Sequence, residues 1–170
     1  MIERKIGNML EEVSNGFMVQ GCNAQGVMGG GIALSIKNMY PEAYRQYRDK
    51  WEHGSYLVFP GETDHKHIQE LEMGTIIPVQ VTHNAIMVNA ITQRFFTSHP
   101  YSNGGREVDY EAVAKAFELI NELPSLYEDV DPILNFPLVG AGLAKGNWDI
   151  VASIIDETVT HMDKVLWVLP

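Results

Sequence analysis

Two glycine-rich segments hold the residue types best suited to binding a phosphate. Residues 21–33 read Gly-Cys-Asn-Ala-Gln-Gly-Val-Met-Gly-Gly-Gly-Ile-Ala, and residues 137–148 read Pro-Leu-Val-Gly-Ala-Gly-Leu-Ala-Lys-Gly-Asn-Trp. Each segment follows an apolar stretch typical of a strand and leads into a helical pattern. Glycine allows a backbone to approach a ligand closely, and a helix N-terminus offers N–H groups with a partial positive charge. Two such turns on one sheet predict a diphosphate held between them.

Neither segment is a familiar nucleotide motif. No Gly-Lys-Ser/Thr follows the glycines, so a P-loop is excluded. The first segment lacks the glycine spacing of a Rossmann fingerprint. Asp49 stands at about the right distance for the acidic residue of that fingerprint, but it lies in a charged helical stretch. A nicotinamide-dependent enzyme is therefore disfavoured.

The elements that must position these segments alternate between strand and helix patterns. Strand patterns occupy residues 2–6, 17–20, 56–59, 74–81, 85–91, 133–136 and 165–169. Helices are predicted after Gly31, Pro41, Asp109 and Asn147, and the last two residues are suited to N-capping. Residues 54–72, with His65 and His67, read as a surface excursion. This order predicts an α/β sheet covered on both faces, with ligands beyond the carboxyl ends of the strands.

Helical spacing also predicts which faces are buried. Ile32, Ile36 and Met39 recur on one side of the helix after the first glycine segment, and Val113 and Phe117 recur in a later helix. Apolar residues three or four positions apart form one face of a helix. These residues are expected to pack against the sheet.

Bulk properties limit the class of protein. A chain of 170 residues predicts one domain, residues 1–170, and a net charge of −10 argues against general attraction to nucleic acid or anionic membrane. The single cysteine, Cys22, excludes an internal disulfide and suits a reducing compartment. No apolar run approaches the ~20 residues that span a bilayer. We therefore expect a soluble, cytoplasmic monomer with no membrane partner, no metal and no cofactor.

Together, the two segments and their order resemble the macro domain family. The resemblance rests on residues 22–33 and on residues 137–143 followed by Trp148. The Tyr-Pro-Glu-Ala-Tyr stretch at residues 40–44 is similar to the branch of ADP-ribose-1″-phosphate phosphatases and terminal ADP-ribose hydrolases. The resemblance covers nearly the whole chain, and it implies a three-layer α/β/α sandwich with a mixed central sheet and an ADP-ribose cleft.

The resemblance also implies which residues contact ADP-ribose. Asn8 and Met9 stand where the family contacts adenine, and Asn23 stands near the distal ribose, where it would orient the substrate for catalysis. Both glycine segments would wrap the diphosphate and the distal ribose. The ligand-binding residues expected in this way are Asn8, Met9, Asn23, Gln25, Gly29, Gly30, Gly31, Ile32, Gly140, Ala141, Gly142, Leu143 and Ala144.

Two departures bear on the activity. Gln93 stands where terminal and DNA-linked hydrolases of the family carry a lysine, and Ala144 stands where terminal-type enzymes carry an aspartate. Glutamine cannot form a Schiff base and alanine cannot act as a base. The first hypothesis is hydrolysis of ADP-ribose-1″-phosphate or a related ADP-ribose derivative. The alternatives are a non-catalytic module that reads ADP-ribose or ADP-ribosylated macromolecules, and a hydrolase that removes ADP-ribose from protein or nucleic acid.

Individual polar residues also have structural interpretations. Asn23 could be a turn residue bonded to its own backbone, and Asn8 could belong to a surface turn. Cys22 is interpreted as a small buried side chain rather than a nucleophile. His99, a lone loop histidine, is an alternative acid–base group near the distal ribose.

Overall fold

The computed structural model describes residues 1–58 and 67–170. Its strands are β1 (Ile2–Ile6), β2 (Gly16–Asn23), β3 (Ser55–Val58), β4 (His67–Glu70), β5 (Ile76–Thr82), β6 (Ala85–Gln93), β7 (Ile133–Phe136) and β8 (Asp163–Val168). Its α-helices are α1 (Met9–Glu12), α2 (Gly31–Met39), α3 (Pro41–Glu52), α4 (Tyr110–Asn121) and α5 (Trp148–Thr158). A 3-10 turn at Leu123–Ser125 follows α4. His65 and residue 59 of the predicted strand at 56–59 lie outside the described residues.

Six of the described strands form one mixed sheet in the order β1-β8-β7-β2-β6-β5. β5 runs antiparallel to β6, and the other neighbouring pairs are parallel. β3 and β4 form a separate antiparallel pair. The carboxyl ends of β2, β6 and β7 therefore meet at one edge of the sheet, which is where both glycine segments begin.

Helices cover the sheet on both faces, so the fold is a three-layer α/β/α sandwich. Alternate residues of a strand point to opposite faces. Phe17 of β2 packs in a cluster with Phe117 of α4 and Ile155 of α5, whereas Met18 packs on the other side with Ile36 of α2. The three-layer architecture predicted from the sequence is confirmed.

Local sequence explains how the helices begin. The side chain of Asp109 accepts a hydrogen bond from the Ala112 N–H at 3.1 Å, and that of Asn147 accepts one from the Asp149 N–H at 2.9 Å. Both predicted N-caps are confirmed. Pro41 occupies the first turn of α3, where its missing N–H costs no hydrogen bond.

Among the described residues, the structure differs from the sequence prediction at several places, including β4 (His67–Glu70), which lies in the stretch predicted to be irregular. β2 continues to Asn23 instead of ending at Gln20, so the first glycine segment starts inside the strand. The short helix α1 was not predicted, because four residues carry too little periodicity. Met39 is 45% exposed rather than buried, and Tyr40 instead packs against the neighbouring core cluster.

Lys164 joins the last strand to the end of α5. Its buried ammonium group donates to the carbonyl oxygens of Asp156 and Val159 at 3.0 and 2.9 Å, and lies 2.8 Å from Asp156 Oδ1. A cation at a helix C-terminus stabilises the terminal carbonyls. The hydrogen bonds from Lys164 and from the N-terminal amine lower the pKa of Asp156 from 3.8 to about 2.

We expect Lys164→Met to destabilise the fold by about 1–3 kcal/mol, because it leaves these carbonyl oxygens unpaired. Since the pKa of Asp156 is depressed in the folded protein, its stabilising contribution is full above pH 4 and disappears as the pH falls towards 2. Solvent screens part of that contribution, because the Asp156 side chain is 44% exposed. Urea unfolding between pH 2 and 6 should show a shallower pH dependence for the variant. Equal slopes for both proteins would contradict the expectation.

Candidate functional site

A cavity of about 820 Å³ lies at the carboxyl ends of β2, β6 and β7. This volume is within the usual range of small-molecule sites. Its wall includes residues of both glycine segments, and most of its side chains are apolar or absent. The described lining residues are Gly21, Cys22, Asn23, Val27, Met28, Gly29, Gly30, Gly31, Ile32, Ala33, Gln93, Phe96, Thr97, Ser98, Pro137, Leu138, Val139, Gly140, Ala141, Gly142, Leu143, Ala144, Trp167, Val168 and Leu169.

The N-terminus of α2 opens onto this cavity without a side-chain cap. Gly30 is the N-cap residue and has no side chain to accept from the first turn, unlike Asp109 of α4 and Asn147 of α5. The N–H groups of the first helical residues, Gly31 and Ile32, have no acceptor within the helix. They are therefore available, together with the helix dipole, for an anion in the cavity.

The second glycine segment, residues 137–148, is a compact loop folded around Val108. Gly140 has a φ of 72°, and a Cβ on it would stand 2.7 Å from Val108 Cγ2, so a side chain is excluded there for two reasons. The loop closes on itself through a hydrogen bond from the Gly146 N–H to the Gly140 carbonyl oxygen at 2.7 Å. Among the described residues, the Gly142 and Leu143 N–H groups have no backbone acceptor. Both residues line the cavity.

The two glycine segments meet across the mouth of the cavity. The Cδ1 atom of Leu143 lies 3.9 Å from the position that a Cβ on Gly30 would take. The Thr97 hydroxyl donates to the Leu143 carbonyl oxygen at 3.2 Å. Residues 29–32 and 140–144 therefore share one pocket, as the sequence predicted.

Asn23 is used to build the first glycine segment. Its Oδ1 accepts from the N–H groups of Gln25 and Val27 at 3.0 and 3.3 Å and from the Tyr47 hydroxyl at 2.9 Å. Its Nδ2 donates to the Val27 carbonyl oxygen at 2.8 Å. A carbonyl oxygen has two lone pairs, so an oxygen that already accepts from three donors has no capacity for a ligand donor. The side chain is 8% exposed, and its second Nδ2 hydrogen is the group left for a ligand.

Ionisable side chains are scarce in the cavity wall. Among the described lining residues, Cys22 is the one side chain that titrates, and burial raises the pKa of its thiol. A neutral thiol is a weak nucleophile. The interpretation of Cys22 as a buried structural side chain agrees with this environment, and its Sγ lies 3.8 Å from Asn89 Oδ1.

The two residues that depart from the hydrolase pattern both reach the cavity. Gln93 lines it, and its Nε2 donates to the Phe95 carbonyl oxygen at 2.9 Å. Ala144 lies at the boundary between the cavity and the core, where its carbonyl oxygen accepts from the Glu107 and Val108 N–H groups. Neither side chain supplies a base or a Schiff-base amine.

Three of the predicted ligand residues do not line this cavity. Asn8 caps α1 by accepting from the Leu10 N–H at 3.1 Å, and Met9 is buried in the core. Gln25 is also buried, and its Nε2 donates to the Arg94 carbonyl oxygen at 3.1 Å. The Gly7 N–H bonds to the carbonyl oxygen of Val168, which does line the cavity, so Asn8 lies close to its edge. Ligand contacts of these three residues remain a prediction.

His99 lies behind the wall rather than in it. Its ring stacks on Phe95 with centroids 4.5 Å apart, and its Nδ1 accepts from the Tyr101 N–H at 3.1 Å. Burial lowers the pKa of His99, although Glu107 opposes this shift. The neighbouring residues Phe96, Thr97 and Ser98 line the cavity instead.

The sequence analysis missed two parts of the wall, residues 96–98 and residues 167–169. Residues 96–98 follow β6, which is parallel to β2 and ends at the same edge of the sheet. The rule that ligands bind beyond carboxyl ends of parallel strands could have identified them. Residues 167–169 end β8 and could have been found in the same way, once its place beside β7 was known.

No family model matches the chain. The chain is 25% identical over 155 residues to an uncharacterized 17.5 kDa protein of the tk-vs intergenic region of Enterobacteria phage T4, and the match covers 88% of this chain and 83% of the phage protein. A shorter segment of 47 residues is 38% identical to the ADP-ribose 1″-phosphate phosphatase of Chaetomium globosum. That match covers 28% of this chain and 25% of the fungal protein.

Solved structures are similar over the whole chain. A protein of unknown function from Bacteroides thetaiotaomicron superposes with a TM-score of 0.78 at 20% identity, covering 100% of this chain and 98% of that one. The macrodomain of Thermus aquaticus DarG superposes with a TM-score of 0.72 at 22% identity, covering 100% and 99%. The chain has the macrodomain fold.

The third similar structure is a complex with a ligand. Thermosipho africanus DarTG in complex with ADP-ribose superposes with a TM-score of 0.69 at 18% identity. The match covers 99% of this chain and 42% of the DarTG chain. At this level of identity the likeness concerns the fold.

The described residues hold neither a cluster of metal ligands nor a membrane-spanning helix. No group of three or more His, Cys, Asp or Glu side chains is arranged to hold a metal ion there. None of the helices in residues 1–58 and 67–170 is long and apolar enough to cross a membrane.

Proposed function

We propose that this macrodomain binds ADP-ribose in the cavity between its two glycine segments. The observation that carries the proposal is that the uncapped N-terminus of α2 and residues of the second segment line one cavity. Main-chain N–H groups and a helix dipole bind phosphate oxygens without a basic surface. This explains how a chain with a net charge of −10 can hold a dianionic diphosphate.

The shape of the cavity also suits a dinucleotide-like ligand. Its apolar lining residues, among them Ile32, Leu138 and Leu143, provide surface for a base and for ribose carbons. The complex of Thermosipho africanus DarTG with ADP-ribose supports the ligand class through the shared fold. Asn8 and Met9, which lie beside this edge, are proposed to contact adenine, and Gln25 to support the first segment from behind.

We expect titration calorimetry to give a dissociation constant for ADP-ribose of about 1 µM or tighter, which is about −8 kcal/mol. ADP and ribose 5-phosphate, each offering part of the ligand, serve as matched comparisons and should bind more weakly. Absence of heat and of competition at millimolar ADP-ribose would contradict the proposal.

The first candidate activity is hydrolysis of ADP-ribose-1″-phosphate. The segment shared with the Chaetomium globosum phosphatase supports it. Because Cys22 is the one titrating side chain of the described wall, attack would depend on a positioned water and on the substrate's own phosphate as the base. Holding reactants in the right geometry can itself lower a barrier by several kcal/mol.

The second candidate is a non-catalytic module that reads ADP-ribose or ADP-ribosylated macromolecules. The scarcity of acid–base groups in the described wall favours it, since a binding module needs none. Gln93 and Ala144 point in the same direction, because neither can act as an acid or a base.

Phosphate release from ADP-ribose-1″-phosphate separates the two candidates. Phosphate release by the wild type supports the phosphatase if a substitution that blocks the cavity abolishes it. Tight binding without phosphate release supports the reader. Release of ADP-ribose from a modified protein carboxylate or nucleic-acid base would instead support the third candidate, a hydrolase of macromolecular ADP-ribose. Asn23→Ala is a poor catalytic probe, because its side chain builds the segment that holds the ligand.

A further inference from the structure

Helix α3 contacts the back of the first glycine segment through three side chains, Tyr47, Arg48 and Trp51, which we call the α3 brace. The fully buried Tyr47 hydroxyl lies 2.5 Å from the Asn23 carbonyl oxygen and 2.9 Å from Asn23 Oδ1. One hydroxyl hydrogen is shared between these two acceptors. Tyr47 thus fixes both the main chain and the side chain of Asn23.

The other two members of the brace hold Gly26. The Arg48 guanidinium donates to the Gly26 carbonyl oxygen at 3.2 Å and stacks over the Trp51 ring at 4.0 Å. A Cβ on Gly26 would stand 2.7 Å from Trp51 Cγ, and the φ of Gly26 is 75°. The first glycine segment therefore packs closely against α3 at Gly26 and is hydrogen-bonded to α3 at Asn23.

Asn23 passes this constraint on to the residues that follow it in the segment. Its Oδ1 holds the N–H groups of Gln25 and Val27, and its Nδ2 holds the Val27 carbonyl oxygen. Val27 is followed within a few residues by Gly29 and Gly30, which lead into the uncapped turn of α2. Hydrogen bonds thus connect α3 through Asn23 to Val27, which lies two positions before Gly29 in the proposed phosphate-binding segment.

We propose that Tyr47 is a positioning residue that pre-organises the first glycine segment for its ligand by acting through Asn23. The inference rests on the proposed function for the identity of the ligand. The contacts that hold the first glycine segment do not depend on that function. Burial raises the pKa of Tyr47 well above its ordinary value of 10, so the hydroxyl keeps its proton and remains a donor. A segment that is held in its binding conformation in advance loses less entropy when the ligand binds.

The test compares Tyr47→Phe with Tyr44→Phe. Both variants remove one hydroxyl from α3, but Tyr44 packs under Lys37 rather than against Asn23. Affinities for ADP-ribose and for AMP, which lacks the second phosphate and the distal ribose, are measured at a temperature where circular dichroism shows every variant folded. Backbone amide exchange of Gln25 and Val27 is measured on the same samples without ligand.

We expect Tyr47→Phe to weaken ADP-ribose binding about tenfold and AMP binding less than about threefold. The amides of Gln25 and Val27 should exchange faster in this variant, and Tyr44→Phe should match the wild type in every measurement. A purely structural role would leave the ADP-ribose to AMP ratio unchanged. An unchanged ratio or unchanged amide exchange would overturn the inference.

Failure of the proposed function is distinguishable from failure of this inference. If the wild type does not bind ADP-ribose, the proposed function is rejected, whereas amide exchange still decides whether Tyr47 holds the segment. If Tyr47→Phe does not fold, amide exchange of Gln25 and Val27 is measured on Arg48→Met, which removes the other hydrogen bond from α3 to this segment without changing a residue of the cavity wall. Unchanged exchange in that variant would show that α3 does not hold the segment and would overturn the inference.

Discussion

Replacing Gly30 by aspartate should raise the melting temperature of the protein while weakening the proposed binding of ADP-ribose by at least about 100-fold. Gly30 is the N-cap of α2, and aspartate is a better N-cap than glycine by a few tenths of a kcal/mol. Its charge also interacts favourably with the helix dipole, by about 0.3–1 kcal/mol. The same carboxylate would occupy the amides proposed for phosphate and repel it, so stability and affinity are expected to change in opposite directions.

Gly30→Ala is the matched control for Gly30→Asp. Its φ of −157° is extended backbone that any residue adopts, and the nearest atom to an added Cβ is Leu143 Cδ1 at 3.9 Å. Alanine should therefore fold normally and lose far less affinity than aspartate. Thermal melting and calorimetry on the three proteins are sufficient. Wild-type affinity in Gly30→Asp would show that the ligand does not use the start of α2.

Truncating Phe117 to alanine is expected to cost about 3–5 kcal/mol of unfolding free energy. The side chain is fully buried between α4 and the sheet, and its removal leaves a cavity that the surrounding core can only partly fill. Domains are stable by about 5–15 kcal/mol, so this single change removes a large share of the total. Urea unfolding monitored by circular dichroism measures the difference in midpoint and slope.

Leu119→Ala provides the control on the same helix. Leu119 is 48% exposed, and surface substitutions of this kind usually change stability by no more than about 0.5 kcal/mol. Because alanine forms helices at least as well as leucine, a loss in Leu119→Ala as large as that in Phe117→Ala would contradict the assignment of the Phe117 effect to core packing.

Local sequence patterns were sufficient to predict most of the fold. The N-caps Asp109 and Asn147, the proline at the start of α3 and the buried residues of α4 depend on interactions within a few positions of the chain. The meeting of the two glycine segments was also predictable, because the carboxyl ends of parallel strands share one edge of a sheet. The resemblance to macro domains supplied the expected layers and the class of ligand.

What could not be predicted depends on contacts between residues distant in the chain. The role of Asn23 could not be predicted, because its hydrogen-bond partner Tyr47 lies 24 positions away and no local sequence pattern indicates that hydrogen bond. The exposure of Met39 depends on Tyr40 taking the place against the core, which spacing alone does not specify. The wall at residues 167–169 required the strand order, in which β8 lies between β1 and β7.

The donors proposed to bind the ligand belong to the polypeptide backbone, and this has a consequence for how such a protein can diverge. An amide N–H is present at every residue except proline, so substitutions that preserve the path of residues 29–33 and 140–144 leave the donors in place. The side chains at these positions can therefore be substituted without loss of the donors. The same fold can then persist between chains that are 20–22% identical and superpose with TM-scores of 0.71–0.78.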